Sequence, residues 1–249
     1  LVRVGGGPIT DRQTNIVAGM SGTPCYIDGR LIGALSAGFA FSKEPVGLVT
    51  PIEDMLEAWD SNLPAAPSGY SSPQSLPNPL MIDGKEVRSI VVDKPGEMNP
   101  AYENGLLRMR PLMTPLMVTG LSARGMGRLA DVLRPFGIVP MAGPGALHIA
   151  GVKAALEPGA AVGISLARGD IDMTAIGTVT YRRGNRILAM GHPFLGVGAI
   201  DAPMTTAFVA DLVPQYLMST KLGAPIEVVG RVFQDRPWSV AGAMGSASR

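Results

Sequence analysis

Turn-forming residues divide this sequence into short apolar runs, and that division limits the fold more than any other feature. The 249 residues include 32 glycines and 22 prolines, nearly twice the usual share. No tripeptide period accompanies them, which excludes collagen, and a hydrophobic content of 46% excludes a disordered chain. The remaining pattern is one of many short strands joined by turns, and it predicts a mostly β protein.

Three local signals predict hairpins. Asp28-Gly29 stands between apolar runs, where both turn positions favour a positive φ, and Asp83-Gly84 repeats the pattern. A third turn is expected at 183–185.

Helices are expected in three places. Residues 50–53 (Thr-Pro-Ile-Glu) have the pattern of a capping box with proline at the first helical position. Residues 122–136 place apolar side chains on one helical face and are followed by Gly137. A further helix is predicted in part of 203–219, interrupted near Pro214.

The chain divides into two β-rich parts around a mixed middle. Residues 61–80 contain five prolines and five serines and are interpreted as a linker. The predicted division is a β lobe at 1–60, this linker, a mixed α/β insert at 81–157 and a second β lobe at 158–249.

Composition excludes several classes of function. The net charge is +1, so nothing indicates a nucleic-acid partner. One cysteine permits no intrachain disulfide and no cysteine zinc cluster, and two histidines permit no histidine-rich metal site. No run of 18 apolar residues exists, so no transmembrane segment is expected. Neither a cofactor nor a metal is predicted.

Ser21 is the candidate nucleophile. It lies in residues 19–24 (Gly-Met-Ser-Gly-Thr-Pro), where glycines on both sides leave space for a substrate carbonyl. Gly19 can turn the chain so that its own N–H and that of Ser21 form an oxyanion hole. A tight turn between strands is the alternative interpretation of the same residues. Cys25, four residues later, is the weaker candidate, because a free cysteine on a strand usually behaves as a small hydrophobe.

His192 is the candidate general base, because it follows an apolar strand and begins a loop bounded by glycine and proline. A histidine that only caps the strand end is the alternative. His148 lies among apolar residues and is interpreted as structural. A carboxylate should orient the base, and Asp201, nine residues after His192, is preferred over Asp11 and Asp235.

Two segments resemble the stage IV sporulation protein B peptidases, a family of bacterial serine proteases similar to the chymotrypsin-like group. Residues 19–34 resemble the family's serine segment, and strands within 162–192 that end in Gly191-His192 resemble its histidine segment. The resemblance implies Ser21 as nucleophile, His192 as general base, an oxyanion hole from Gly19 and Ser21, and two chymotrypsin-like barrel lobes with a small α/β insert. The order differs from the family, because serine here precedes histidine by 171 residues.

The expected function is therefore that of a serine endopeptidase, self-processing or acting on a protein or peptide substrate. The resemblance further implies an extracytoplasmic location, in the periplasm, the cell envelope or the secreted fraction. The alternative is an inactive protease-like module that binds protein in a cell-envelope assembly. The small apolar residues and 14 methionines also suit an interface with an assembly partner or a homo-oligomer.

Overall fold

A computed structural model describes residues 1–12, 14–39, 44–60, 72–97, 99–143, 155–214 and 219–248. Over these residues the protein is mostly β, with few helices. Its strands form two curled sheets, a half-barrel and a ring, which are two barrel-like lobes. The mostly β fold predicted from the sequence is confirmed.

The first sheet is the half-barrel, with its strands in the order β1-β4-β3-β8-β6-β5, β2 paired to β3 and β7 paired to β8. Its parallel pair is β6 with β8, and its other pairings are antiparallel. The strands are β1 (Val2–Arg3), β2 (Pro24–Ile27), β3 (Arg30–Gly38), β4 (Val46–Pro51), β5 (Gln74–Ile82), β6 (Lys85–Val92), β7 (Tyr102–Glu103) and β8 (Leu106–Pro111).

The second sheet runs in the order β10-β9-β12-β11-β14-β15-β16-β13, and it closes into a ring because β13 also pairs with β12. Closure leaves the six ring strands without a free edge. The strands are β9 (Thr114–Thr119), β10 (Ile138–Ala142), β11 (Ala161–Ala167), β12 (Asp172–Arg183), β13 (Arg186–Ala189), β14 (Gly198–Val213), β15 (Thr220–Arg236) and β16 (Ser239–Met244).

The described helices are α1 (Gly7–Asp11), α2 (Ile52–Leu56) with a 3-10 turn at Glu57–Trp59, and α3 (Ala123–Leu133) with a 3-10 turn at Arg134–Phe136. The predicted helix at 122–136 is confirmed. The Ser122 hydroxyl accepts a hydrogen bond from the Gly125 N–H at 3.2 Å, and Gly137 ends the segment at φ 68°. None of these helices is both long and apolar enough to cross a membrane.

The helix predicted in part of 203–219 is wrong, because residues up to Val213 lie in β14. This strand pairs antiparallel with β15 from Gly198, opposite Asp235, to Val213, opposite Thr220. The long antiparallel partner β15, with several register shifts along it, supplies backbone hydrogen bonds that no local sequence signal reveals. Residues 215–218 of the same prediction lie outside the described part of the chain.

The hairpin predictions are confirmed. Asp28 and Gly29 join β2 to β3 at φ 49° and 75°, and Asp83 and Gly84 join β5 to β6 at 49° and 72°. The turn at 183–185 joins β12 to β13. The predicted domain division stays a prediction. Strands of residues 81–111 pair within the half-barrel, and those of 114–142 pair within the second sheet.

The main core lies within the second sheet, where side chains such as Leu116, Ile164 and Met204 are fully buried. Burial of each such side chain contributes about 1.5–3 kcal/mol to the free energy of folding. A smaller cluster joins the two sheets: Ala34 of β3 and Met55 of α2 pack with Leu188 of β13. This contact brings the loop before β2 close to the loop after β13, where the two candidate catalytic residues lie.

Candidate active site

The serine segment, defined here as residues 18–22, lies against the second sheet and is held mainly by backbone groups. The Ala18 N–H donates to the Ser219 carbonyl at 2.8 Å, and the Thr178 N–H donates to the Ser21 carbonyl at 3.1 Å. The Gly22 N–H donates to the Leu35 carbonyl at 2.9 Å. The segment is therefore attached both to the half-barrel and to the ring.

Glycine at position 22 is required by a close approach of two backbones. Its φ is +93°, and an added Cβ would overlap the Thr178 carbonyl oxygen and lie 2.5 Å from the Met190 nitrogen. The Thr180 hydroxyl donates to the Gly22 carbonyl at 2.8 Å. From the sequence, glycine at position 22 was explained as space for a substrate carbonyl. Its close contact with the second sheet is another explanation.

The histidine turn, defined here as residues 190–196, follows β13 directly. Met190 and Gly191 both have a positive φ, 72° and 68°, which turns the chain away from the sheet. The Thr50 hydroxyl donates to the Gly191 carbonyl at 2.7 Å. The predicted capping box is therefore wrong. α2 begins at Ile52 and not at Pro51, and no side chain caps it, because the Thr50 hydroxyl is bonded to the histidine turn.

The His192 ring is buried, with 6% of the residue exposed. Its Nδ1 lies 2.7 Å from the Pro193 carbonyl oxygen. A carbonyl only accepts, so Nδ1 carries the proton in the neutral ring and Nε2 has the free lone pair. Burial lowers the pKa of His192 to about 4, although the bond to Pro193 acts in the opposite direction. The ring is therefore neutral at pH 7.

The serine segment and the histidine turn contact each other and the same strand of the half-barrel. Gly22 packs on Met190, and Gly191 packs on Ala34 and Ser36 of β3. Ser21 Oγ and His192 Nε2 are both buried, and neither has a hydrogen-bond partner. They consequently make no hydrogen bond to each other in this structure.

The two N–H groups predicted to form the oxyanion hole belong to a buried segment. Ser21 itself is 0% exposed. The Gly19 N–H donates to the Met113 carbonyl at 3.1 Å, so in this arrangement it does not point into an open site. Binding of an oxyanion at Gly19 requires that bond to break.

The three candidate acids occupy different environments. Asp201 lies in β14, with its carboxylate 3.6 Å from the Arg231 guanidinium. Asp11 is exposed at the end of α1. Neither is the partner of His192 Nδ1, which is hydrogen-bonded to the Pro193 carbonyl instead.

Asp235 is the acid that contacts the histidine turn. It is 1% exposed, and its two carboxylate oxygens accept hydrogen bonds from the N–H groups of Phe194, Leu195 and Gly196 at 2.7–2.8 Å. Burial raises the pKa of Asp235 more than these backbone donors lower it. Through these bonds Asp235 holds the residues that follow His192.

Two further side chains support the serine segment. The Thr178 hydroxyl donates to the Gly19 carbonyl at 3.0 Å and accepts from the Lys221 ammonium at 3.0 Å. Burial lowers the pKa of Lys221 to about 8. Thr178 lay inside the segment that resembles the histidine segment of the family, but no sequence signal marked Lys221, which is distant along the chain.

A cleft of about 460 Å³ opens beside the histidine turn, between the half-barrel and the ring. His192 is among its lining residues and Ser21 is not. The described lining consists of Ser36, Ala37, Leu48, Val49, Thr50, Pro51, Asp54, Gln74, Val92, Pro111, Gly191, His192, Pro193, Pro237 and Trp238. It is mostly apolar, and Asp54 is the one charged residue in this described lining.

The remaining sequence candidates contribute little. Cys25 is half-buried, with its thiol 3.7 Å from the Thr23 carbonyl, and burial raises its pKa, which disfavours the thiolate. His148 lies outside the described residues. Within the described ranges, no group of three or more His, Cys, Asp or Glu residues could hold a metal ion.

Comparison with known proteins does not place this chain in a family. No protein-family model matches this chain, and no curated protein or solved structure is significantly similar to it. The geometry of the serine segment and the histidine turn is therefore the basis for any statement about function.

Proposed function

We propose that this protein is a serine peptidase in which Ser21 is the nucleophile and His192 the general base. The observation that carries the proposal is the pair of buried polar atoms, Ser21 Oγ and His192 Nε2, without hydrogen-bond partners where two distant segments meet. An unsatisfied buried group of this kind costs about 1–3 kcal/mol. Such a cost in a native protein needs an explanation, and a role in chemistry or binding supplies one here.

In the proposed reaction, His192 Nε2 accepts the Ser21 hydroxyl proton while Oγ attacks a peptide carbonyl. The neutral ring, with Nδ1–H bonded to the Pro193 carbonyl, is in the protonation state and tautomer that this step needs. The protonated imidazole then gives the proton to the leaving amine as the peptide C–N bond breaks, which leaves Ser21 acylated. Water, deprotonated by the same imidazole, hydrolyses this ester and restores the Ser21 hydroxyl. Because Ser21 is buried and not bonded to His192, the reaction requires a movement of the serine segment toward the cleft.

The cleft beside His192 is the proposed entry for the substrate. Its mostly apolar lining, with Trp238 and four prolines, suits an uncharged stretch of an extended peptide. The resemblance to the sporulation proteases adds an extracytoplasmic location to the proposal.

A second candidate function is a protease-like module that binds protein without cleaving it. It is favoured by the complete burial of Ser21 and by the Gly19 N–H, which is bonded to the Met113 carbonyl. On this alternative the cleft binds a partner, and the serine segment is only a structural turn.

Labelling with a fluorophosphonate, followed by mass spectrometry of the labelled peptide, separates the two functions. We expect the folded protein to be modified at Ser21 and Ser21→Ala to lose the modification. His192→Gln should slow labelling by roughly 100-fold, the usual contribution of a general base. Ser165→Ala, a buried serine in β11, is the matched control and should label like the wild type.

Incubation with unfolded casein then tests peptide hydrolysis, with Ser21→Ala prepared in parallel to exclude contaminating proteases. Cleavage by the wild type alone supports the peptidase. Folded wild-type protein that is neither labelled nor active on casein would contradict it and favour the binding module.

A further inference from the structure

The peptide group between Pro193 and Phe194 takes part in two hydrogen bonds at once. Its carbonyl oxygen accepts from His192 Nδ1 at 2.7 Å, and its N–H donates to Asp235 Oδ1 at 2.8 Å. The described peptide bonds are trans, so this C=O and N–H point in opposite directions. One planar unit therefore separates the imidazole from a buried carboxylate.

We propose that Asp235 is a positioning residue for His192 and acts through the Pro193–Phe194 peptide, where a serine protease usually has a carboxylate bonded directly to the ring. The inference rests on the proposed function in that His192 is taken as the general base. Asp235 does not touch substrate or the reacting atoms.

Hydrogen-bond cooperativity supplies the physical link. A negatively charged acceptor on the Phe194 N–H polarises the peptide and makes the Pro193 carbonyl a stronger acceptor. The stronger carbonyl holds the His192 proton on Nδ1, which leaves the Nε2 lone pair available. When His192 is protonated, the same polarised carbonyl stabilises the imidazolium, which burial otherwise disfavours.

The carboxylate is well placed for this role because it is itself immobilised. Its second oxygen accepts from the Leu195 and Gly196 N–H groups at 2.7 and 2.8 Å, and the residue is 1% exposed. Movement of the histidine turn would break hydrogen bonds to a buried charge. Asp201, the acid preferred from the sequence, is instead partly exposed, with its carboxylate beside Arg231.

The tautomer of His192 is the direct readout, and it can be measured without catalysis. The chain has two histidines, so ¹⁵N-histidine labelling gives two sets of ring signals, and His148→Gln assigns them. We expect wild-type His192 at pH 7.5 to be mainly the Nδ1–H tautomer. Asp235→Asn keeps the shape but removes the charge and one of the two acceptor oxygens. In this variant the ratio of Nδ1–H to Nε2–H should fall roughly fivefold.

Asp201→Asn is the matched control, an acid-to-amide change of the same shape in the same sheet, and it should leave the ratio unchanged. Wild-type His192 that is mainly Nε2–H overturns the inference without any variant. An unchanged ratio in folded Asp235→Asn overturns it as well. If Asp235→Asn does not fold, the wild-type tautomer decides.

The labelling rate distinguishes this inference from the proposed function. If the wild type is labelled at Ser21, Asp235→Asn should label roughly tenfold more slowly, and Asp201→Asn should label normally. If the wild type is not labelled, the peptidase proposal fails, and the tautomer ratios still test the link between Asp235 and His192.

Discussion

The serine segment and the histidine turn are both buried loops at the junction of the two sheets, but they are held in different ways. The groups that bond the serine segment directly are neutral: backbone hydrogen bonds, the hydroxyls of Thr178 and Thr180, and a close backbone contact at Gly22. The Lys221 ammonium acts on it only through the Thr178 hydroxyl. The histidine turn is held by one charged group, Asp235, which accepts hydrogen bonds from three successive N–H groups.

This difference allows the contribution of packing to stability to be separated from the contribution of charge. Substitutions in the serine segment should act through packing and neutral hydrogen bonds, and their effect should depend little on pH below about 8, the pKa of Lys221. The histidine turn combines a buried carboxylate with a buried imidazole, so its contribution to stability should change with pH. Three substitutions test this contrast, beginning with the largest expected effect.

Gly22→Ala should be the most damaging change. The added methyl would overlap the Thr178 carbonyl oxygen at a φ of +93°, and neither backbone can move without breaking the contact between the serine segment and the ring. We expect the free energy of unfolding to fall by about 4 kcal/mol, from overpacking and from the strained φ together, as measured by urea denaturation. Gly29→Ala is the control: its φ is +75°, but nothing lies within 4 Å of the added methyl, so we expect a loss of about 1 kcal/mol.

His192 should make the protein less stable as the pH falls. Its folded pKa of about 4 lies below the ordinary value of 6.5, so the unfolded chain binds the proton first as the pH drops below 6.5. The free energy of unfolding should therefore fall by roughly 3 kcal/mol as the pH is lowered from 6.5 to about 4.

The His192→Gln variant removes this titration. Comparing it with the wild type therefore separates the contribution of His192 from that of other titrating groups, among them Asp235. The difference in unfolding free energy between wild type and variant should narrow between pH 6.5 and 4 and stay constant below. A difference independent of pH would show that His192 is not buried as the neutral ring.

Thr178→Val should have a smaller effect that is confined to the serine segment. It leaves the Gly19 carbonyl without its hydroxyl donor and the Lys221 ammonium without the Thr178 acceptor. We expect the free energy of unfolding to fall by about 2 kcal/mol. Thr178→Ser keeps the hydroxyl and should recover much of the loss. Amide hydrogen exchange should show faster opening of residues 18–22 in Thr178→Val and no change in residues 190–196.

The parts of the fold that the sequence predicted correctly depend on neighbours along the chain. Asp28-Gly29 forms a hairpin because its two residues tolerate positive φ, and α3 is capped by Ser122 three residues before its donor. The helix expected in part of 203–219 failed because β15, farther along the chain, supplies a long strand partner. The sequence predicts Thr50 as a helix cap, but its hydroxyl donates to the carbonyl of Gly191, 141 residues away.

For the candidate site, the sequence by itself determined which residue types are available: Ser21 between glycines, His192 after an apolar strand, and three candidate acids, of which it favoured Asp201. The tertiary structure decided which acid contacts the histidine turn. It also decided that the Ser21 hydroxyl is buried without a hydrogen bond to the His192 imidazole. Both depend on how two curled sheets pack, because hydrogen bonds act over about 3 Å. Spacing along a chain of this length does not reveal which groups come that close.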